Sequence, residues 1–292
     1  MSRAGRARAA AALVVGIAVA GGCAATPAVD GPVLRGSLPG AAESPPPRAL
    51  TIVSYNVHLG DHPEAIAQAI RAGGLGDADV YLLQEIEDHV PAEAEPRAQA
   101  LAAALGTAFV YAPARRLPAG EVGTHGLAVL SRWPITDDVV VRLPYRELLW
   151  RSRPRIALGV VLDVAGTPVQ VWDVHLDTRI AVEDRLAQLA PVFERARALP
   201  GLAIIGGDLN TFSHVHARAV DQLAAGEGFT TPTAELSDST AGSFWAWPPE
   251  PPMRLDAIYT RGFAIAGAGV DRAVVGSDHV PIWVQLAWPR TP

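Results

Sequence analysis

Polar residues border several apolar stretches of this chain, a position typical of active-site and metal-site residues. The polar segments are SYN at 54–56, QE at 84–85, DVH at 173–175, GGDLN at 206–210, D at 256 and SDH at 277–279. If the apolar stretches are buried strands, these groups meet at one rim of a sheet and line a pocket. Each residue alone is equally well explained as a turn former or a surface charge, so the prediction depends on the whole set.

The elements that must position these residues alternate between strands and helices. Apolar, β-rich runs predict strands at 50–57, 79–83, 127–131, 156–164, 169–175, 202–206, 255–259 and 282–286. Helices are predicted at 63–72, where Pro63 occupies the first turn, at 93–105 and at 181–199. This mixture predicts an α+β fold of two packed sheets with helices outside.

Composition excludes several classes of protein. The chain has 292 residues, of which 49% are hydrophobic and 18% charged, so general disorder is excluded. All 24 basic residues are arginine, which excludes a catalytic lysine, a Schiff base and a P-loop lysine. A single cysteine excludes an intrachain disulfide framework and a cysteine-based zinc site.

The N-terminal segment resembles an export signal. Three arginines precede a short apolar run at 9–20, and small residues lead into Cys23. We expect residues 1–22 to be a signal peptide, Cys23 to be lipidated as in a bacterial lipoprotein, and residues 23–48 to be a Pro/Gly/Ala-rich tether. The alternative is an ordinary signal peptide cleaved near Ala25, which would yield a secreted protein. Residues 49–292 then form one domain.

Seven segments of the chain together resemble the endonuclease/exonuclease/phosphatase superfamily of DNase I-like metal-dependent phosphoesterases. They are SYNVH at 54–58, LLQE at 82–85, HGLAVLSRWPI at 125–135, DVHLD at 173–177, GGDLNT at 206–211, RLDAIY at 254–259 and SDHVPI at 277–282. The segments occur in the order typical of that family and extend from about residue 50 to the end. The resemblance implies a four-layer α/β/β/α sandwich of two mixed sheets flanked by helices.

The same resemblance implies a role for each site residue. The metal ligands are Asn56, Glu85 and Asp278, and the catalytic residues are His175, Asp208, Asn210, Asp256 and His279. In these roles His175 contacts the phosphate, Asn210 donates to phosphoryl oxygens, and Asp256 orients His279. The general base is either Asp208 or His279, and the sequence does not choose between them.

Two positions depart from the family pattern, and the ligand set indicates the metal. Asp173 stands where many relatives have Asn, which would add a negative charge near the phosphate, and Ala257 stands where an aromatic residue is common. Carboxylate and carboxamide oxygens without a thiolate favour Mg²⁺, with Mn²⁺ as the second choice, over Zn²⁺. The sequence therefore predicts a Mg²⁺-dependent phosphodiesterase that hydrolyses a phosphoester by in-line attack of water. A non-catalytic binding module on the same fold is the alternative.

The substrate is less well defined by the sequence than the chemistry. Nucleic acid is the leading substrate, a phospholipid or sphingomyelin head group is the alternative, and other phosphoesters are the third class. Removal of residues 1–22 leaves 21 arginines against 30 acidic residues, a formal charge of −9, which disfavours duplex DNA without a local basic patch. The dense basic groups are RR at 115–116 and R at 151, 153 and 155, and SFWAWPP at 243–249 brings two tryptophans into the segment before Asp256. No protein partner is evident, and we expect a monomer.

Overall fold

Twelve strands and four helices form in the part of the chain that the structure describes. This computed structural model describes residues 31–37, 45–89, 95–146, 153–236, 238–241 and 253–289. In chain order the elements are β1 (Leu34–Gly36), β2 (Ala49–Leu59), α1 (Pro63–Ala72), β3 (Val80–Asp88), α2 (Arg97–Leu105), β4 (Ala108–Arg116), β5 (Thr124–Ser131), β6 (Ile135–Arg142), β7 (Ile156–Val164), β8 (Thr167–His175), α3 (Val182–Ala198), β9 (Leu202–Asp208), α4 (His214–Gly226), β10 (Asp256–Arg261), β11 (Ala264–Val270) and β12 (Ile282–Ala287).

The strands form two sheets whose parallel pairs end at the same rim. The first sheet has the order β1-β4-β5-β3-β2-β12-β11, and the second has the order β10-β9-β8-β7-β6. Strands β2 and β3 are parallel, as are β8 and β9, while the neighbouring pairs are antiparallel. The carboxyl ends of these four strands therefore carry the polar segments to one rim of the sandwich.

Period-two alternation along the strands divides the apolar residues among three cores. One face of each sheet packs against the other sheet, with Ile52, Leu82, Val171 and Ile204 among the buried residues. The opposite face of the first sheet packs on α1 and α2. The opposite face of the second sheet packs on α3 and α4. The result is the predicted α+β fold with four layers, α/β/β/α.

Several elements differ from the sequence prediction. Helix α1 has the predicted bounds, and α3 differs by one residue at each end, continuing through Pro191. Helix α2 begins at Arg97, four residues later than predicted, because Pro96 is extended at its N-terminus. The prediction omitted β1, β4, β6, β11 and α4. In β4 a proline and two arginines weaken the apolar alternation on which the prediction depends. In β11 a run of small residues has the same effect.

Part of the segment predicted as a flexible tether is ordered on the sheet, so that prediction is wrong for β1. Residues 34–36 pair antiparallel with residues 109–111 of β4, so β1 is an edge strand of the first sheet. The Arg35 guanidinium also donates to both Asp138 carboxylate oxygens, at 2.6 and 2.8 Å, and so ties β1 to the second sheet. A three-residue strand has too few side chains for a periodic pattern, which explains why the sequence did not reveal it.

Candidate active site

Strand alternation explains how the polar residues reach the site. Along the strands that end at the rim, inward-facing apolar residues alternate with residues that face the helices, and the polar residues continue the inward rows. The residues related in this way are Ile52 and Asn56 on β2, Val171 and His175 on β8, Ile204 and Asp208 on β9, and Ile258 and Asp256 on β10. The same periodicity that builds the core therefore points these side chains between the sheets.

Glu85 reaches the site through a break in this alternation. Its backbone is left-handed, with φ of 60°, and the register with both neighbouring strands shifts between Gln84 and Ile86. A residue left out of the ladder at such a bulge no longer obeys the two-residue period. Strict alternation would place Glu85 on the helix-facing side with Leu83, whereas the carboxylate lines the cavity between the sheets. Left-handed backbone at a non-glycine residue is strained and is typical of functional sites.

Two adjacent glycines let β9 bring Asp208 into place. A Cβ at Gly206 would lie 2.7 Å from Leu82 Cδ1 in the facing sheet. Gly207 has φ of +144°, and a Cβ there would lie 1.9 Å from the Val174 carbonyl oxygen. Gly207 therefore excludes a side chain, and Gly206 accepts one only if Leu82 moves, so the strand that carries Asp208 requires glycine at position 207.

A cavity of about 260 Å³ opens at this rim and collects most of the predicted set. Six predicted residues line it: Asn56, Glu85, Asp208, Asn210, Asp278 and His279. The other two, His175 and Asp256, are buried and contact the lining residues. The structure therefore brings all eight predicted catalytic and metal-binding residues together. Cys23 lies outside the described residues.

His279 is paired with one carboxylate and faces a second. Its Nδ1 lies 2.8 Å from Asp256 Oδ2, and its Nε2 lies 3.7 Å from Asp208 Oδ2. Burial opposes a charge on the ring, but the charges of Asp256 and Asp208 outweigh burial and raise the pKa of His279 to about 10. At neutral pH His279 is therefore an imidazolium, with its Nδ1–H donating to Asp256 and its Nε2–H facing Asp208.

His175 is neutral where His279 is positively charged, although both rings border the Asp208 carboxylate. Arg155 Nη1 lies 2.9 Å from His175 Nδ1, and because a guanidinium only donates, Nδ1 must accept. Burial, reinforced by the charge of Arg155, lowers the pKa of His175 well below its ordinary value. The ring is thus neutral with its proton on Nε2, which lies 3.3 Å from Asp208 Oδ2 and 3.8 Å from Glu85 Oε1.

Asp208 lies between the two histidines and is held by two amide donors. Its Oδ1 accepts from the Asn210 backbone N–H at 2.9 Å, and its Oδ2 accepts from Asn56 Nδ2 at 3.1 Å. Burial raises the pKa of Asp208 to about 7, with the His279 charge acting in the opposite direction. A carboxylate in this range accepts and releases a proton near neutral pH. Asn210 also has a left-handed backbone, with φ of 52°, and its Nδ2 donates to the Leu176 carbonyl.

The oxygen donors at the mouth of the cavity fit a hard divalent cation. Burial opposes ionisation of Glu85, but the charges of His125, Arg155 and His279 lower the pKa of Glu85 below its ordinary value, so the carboxylate is ionised. Asn56 and the partly exposed Asp278 line the same cavity. These residues offer carboxylate and amide oxygens, the donor set that Mg²⁺ and Mn²⁺ prefer.

A second group of potential ligands, Glu85, His125 and His175, has donor atoms within 4.8 Å of one another. The hydrogen bond from Arg155 argues against a metal there, because it places the proton of His175 on Nε2 and removes that lone pair from coordination. The metal-binding residues that fit best are therefore the oxygen donors.

Two residues that the sequence prediction missed belong to the site. Arg155 is 4% exposed and orients His175, and His125 is 2% exposed with Nδ1 3.4 Å from Glu87 Oε1. Arg155 immediately precedes the predicted strand at 156–164, so a charge directly before a buried strand was the available signal. His125 is the second residue of β5, but the predicted strand began at residue 127 and left His125 outside.

Burial opposes the negative charge that the sequence suggested for Asp173. The side chain is fully buried between the sheets and accepts from Gln84 Nε2 at 2.6 Å. Burial raises the pKa of Asp173 well above its ordinary value, and the hydrogen bond from Gln84 acts in the opposite direction. Ala257 is buried in the core beneath the helices and removes no site residue.

Comparison with known proteins agrees with this geometry. The model of the Endonuclease/Exonuclease/phosphatase family matches residues 53–279. The endonuclease/exonuclease/phosphatase from Beutenbergia cavernae is 23% identical, covering 82% of this chain and 72% of that chain, with a TM-score of 0.66. The D. rerio TDP2 complexed with single strand DNA product is 20% identical, covering 82% and 98%, with a TM-score of 0.62. A Bacteroides thetaiotaomicron mannosyl-6-phosphatase is 19% identical, covering 82% and 100%, with a TM-score of 0.61.

No curated protein matches the chain. The likeness to the solved structures shows a shared fold, while the family match covers most of the chain, including the polar segments that form the cavity. The chain therefore belongs to the endonuclease/exonuclease/phosphatase family of phosphoric ester hydrolases.

Proposed function

We propose that this protein is a Mg²⁺-dependent phosphodiesterase that hydrolyses nucleic acid by in-line attack of water. The observation that carries the proposal is the convergence of Glu85, Asp208, His175 and His279 on one cavity with different charge states. A carboxylate near its titration point, an imidazolium and a neutral imidazole supply a proton acceptor and two donors within hydrogen-bonding reach of one phosphate.

The residues of the chain divide the chemistry in a defined way. Asp208 orients the attacking water and accepts its proton, because its carboxylate lies between the two histidines. His279 is already protonated and donates to a phosphoryl oxygen, which disfavours it as the general base. The Nε2–H of His175 donates to another phosphoryl oxygen, and the second amide proton of Asn210 is available for the same purpose.

Glu85, Asn56 and Asp278 would hold the metal ion at the mouth of the cavity. When bound, Mg²⁺ would offset the charge of the phosphate and stabilise the charge that develops during displacement. Glu85 would supply a full negative charge, and Asp278 would supply a second carboxylate. Asn56 would supply its Oδ1, which also accepts from the His58 backbone N–H at 3.1 Å.

A local basic patch supports nucleic acid as the substrate. Burial and the charge of Arg153 lower the pKa of Arg115, while the carboxylates of Glu87 and Glu85 act in the opposite direction. Arg153 also acts on the buried Arg155. Arg115 and Arg153, which are 38 residues apart in the chain, therefore lie close enough to interact electrostatically, and Arg115 also lies near Glu85. An acidic protein that concentrates arginines there has the local charge needed to bind further phosphates of a polyanionic chain.

An activity panel tests the proposal. We expect hydrolysis of bis-p-nitrophenyl phosphate with Mg²⁺ and its loss with EDTA; absence of hydrolysis would favour the binding-module alternative. Among plasmid DNA, single-stranded DNA, RNA, sphingomyelin and inositol phosphates, we expect turnover of a nucleic acid. Turnover of sphingomyelin alone would instead favour the lipid alternative.

The basic patch has its own test. Arg115→Gln and Arg153→Gln should each weaken nucleic-acid binding at every sequence and reduce the slope of log affinity against log salt by about one. Arg195→Gln is the matched control, since Arg195 is an exposed arginine in the last turn of α3, far from the rim. An unchanged slope in the first two variants would contradict the assignment.

We further propose that the protein is exported and tethered to a membrane through Cys23. The only cysteine of the chain follows an apolar run and small residues, and two acyl chains there would anchor the enzyme stably. None of the helices in the described ranges has the length and apolar character needed to cross a membrane. Labelled palmitate should be incorporated into the wild type and not into Cys23→Ala; no label, with a mature N-terminus beyond residue 23, would indicate a secreted enzyme.

A further inference from the structure

Three apolar side chains line the active-site cavity beside the catalytic residues. They are Phe212, Met253 and Leu255. Leu255 is buried, whereas Phe212 is 42% exposed and is one of the few large apolar side chains that the described surface presents to solvent. Apolar side chains offer a phosphate neither a hydrogen bond nor a charge, so these three residues suit a contact with the organic part of the substrate.

The ring of Phe212 is held in place by a buried cation. The guanidinium carbon of Arg185 lies 5.3 Å from the centroid of the ring. Arg185 is only 3% exposed, and its guanidinium donates to the backbone carbonyls of Asp177 and Thr178 at 2.9 and 3.0 Å. A ring that rests on a fixed cation is oriented before the substrate arrives, which lowers the entropy cost of a contact with it.

The position of Phe212 in the chain places the ring beside Asn210, which the proposed function assigns to the phosphate. Its backbone N–H donates to the Asn210 carbonyl at 3.2 Å, directly after the left-handed turn that presents Asn210 to the cavity. The described residues that line the cavity include no arginine, so the cavity itself suits an uncharged group rather than a second phosphate. The arginines that suit further phosphates, Arg115 and Arg153, do not line it.

We infer that Phe212 is a specificity-determining residue that stacks on the nucleobase of the nucleotide whose phosphate is hydrolysed. This inference rests on the proposed phosphodiesterase function and names the part of the substrate that the apolar wall recognises. Every base offers a flat π-face, so stacking on a fixed ring gives affinity without strong sequence preference. A planar base is favoured over an acyl chain because the contact is one oriented ring.

A binding experiment isolates the base from the phosphates. The probes are thymidine 3′,5′-bisphosphate and the same sugar bisphosphate with hydrogen in place of the base, each titrated into full-length protein with Mg²⁺ in a calorimeter. Stacking predicts that the wild type binds the thymidine probe at least about tenfold more tightly than the abasic probe. Phe212→Ala should reduce this preference to about twofold or less without changing the affinity for the abasic probe, and Phe212→Trp should retain it.

Val215→Ala is the matched control, because Val215 is 65% exposed, lies three residues away and does not line the cavity. The inference is overturned if the wild type shows no preference, if Phe212→Ala retains the preference, or if that variant loses affinity for both probes alike, which would indicate a structural role. Hydrolysis of bis-p-nitrophenyl phosphate is measured on the same protein. An active enzyme without base preference would refute the inference and leave the proposed phosphodiesterase, whereas an inactive protein with the preference would refute only the phosphodiesterase.

Discussion

The pair of Asp256 and His279 allows the charge assignment in the site to be tested directly. The pKa of His279 rises from 6.5 to about 10 although burial acts against it, which corresponds to about 5 kcal/mol in favour of the imidazolium. Asp256, at 2.8 Å, is the largest of the charges that produce the rise, and Asp208 and Asp278 supply the remainder. Asp256→Asn keeps the shape of the side chain and removes this charge.

In the wild type, His279 should stay protonated to about pH 9, so kcat/KM should not fall in this range through its ionisation. Removal of one opposite charge at contact distance shifts a titration by roughly 1–3 pH units. In Asp256→Asn, kcat/KM should therefore begin to fall from about pH 7–9, tenfold per pH unit. The assay is hydrolysis of bis-p-nitrophenyl phosphate in saturating Mg²⁺ from pH 6 to 9.5. Asp138→Asn, which removes a carboxylate paired with Arg35 away from the cavity, is the control.

Stability provides a second measurement of the same interaction. Because the folded-state pKa of His279 is raised, its contribution to stability is complete below about pH 6.5 and is lost as the pH rises toward 10. The Tm of Asp256→Asn should depend less on pH in this window than the Tm of the wild type. Identical pH profiles of rate and Tm in the two proteins would refute the reasoning. His279→Ala should cost roughly 10²–10⁴ in turnover, and if the double variant shows the product of the two single losses, the residues do not act as a pair.

Three further substitutions test other parts of the site. Glu85→Gln should keep the fold and shift the Mg²⁺ titration of activity to higher concentration by orders of magnitude, because the cation loses a full charge; an unchanged titration would exclude Glu85 as a ligand. Asp173→Asn should raise Tm at pH 7. Because the folded-state pKa of Asp173 is raised, ionisation of this carboxyl lowers the stability of the wild type as the pH rises above about 4. Equal Tm values for the variant and the wild type at every pH from 4 to 8 would contradict this. Gly207→Ala should lower stability by roughly 1–3 kcal/mol and reduce kcat, since a Cβ would meet the Val174 carbonyl at 1.9 Å; an unfolding curve like that of the wild type would be inconsistent with the packing described.

The alternation of side chains along a β-strand explains why so much of the site was predictable from sequence. A strand places residues two apart on one face, so the apolar residues that fill the core between the sheets and the polar residues that follow them share a face. Asn56, His175, Asp208 and Asp256 obey this rule, and the order of the segments completed the prediction of the fold. Glu85 does not follow this rule. A β-bulge between Gln84 and Ile86 turns its side chain inward, and the bulge becomes apparent only when β3 pairs with its neighbouring strands.

The sequence by itself determined which residues could do the chemistry, the two-sheet architecture and the oxygen-rich character of the proposed metal ligands. Only the tertiary structure decided the charge of each group. His175 and His279 look alike in sequence, but one lies against a buried arginine and the other against a carboxylate, so one is neutral and the other charged. Burial between the sheets likewise raises the pKa of Asp173 well above its ordinary value. Charge states depend on burial and on partners distant in sequence, and both are set only when the sheets pack together.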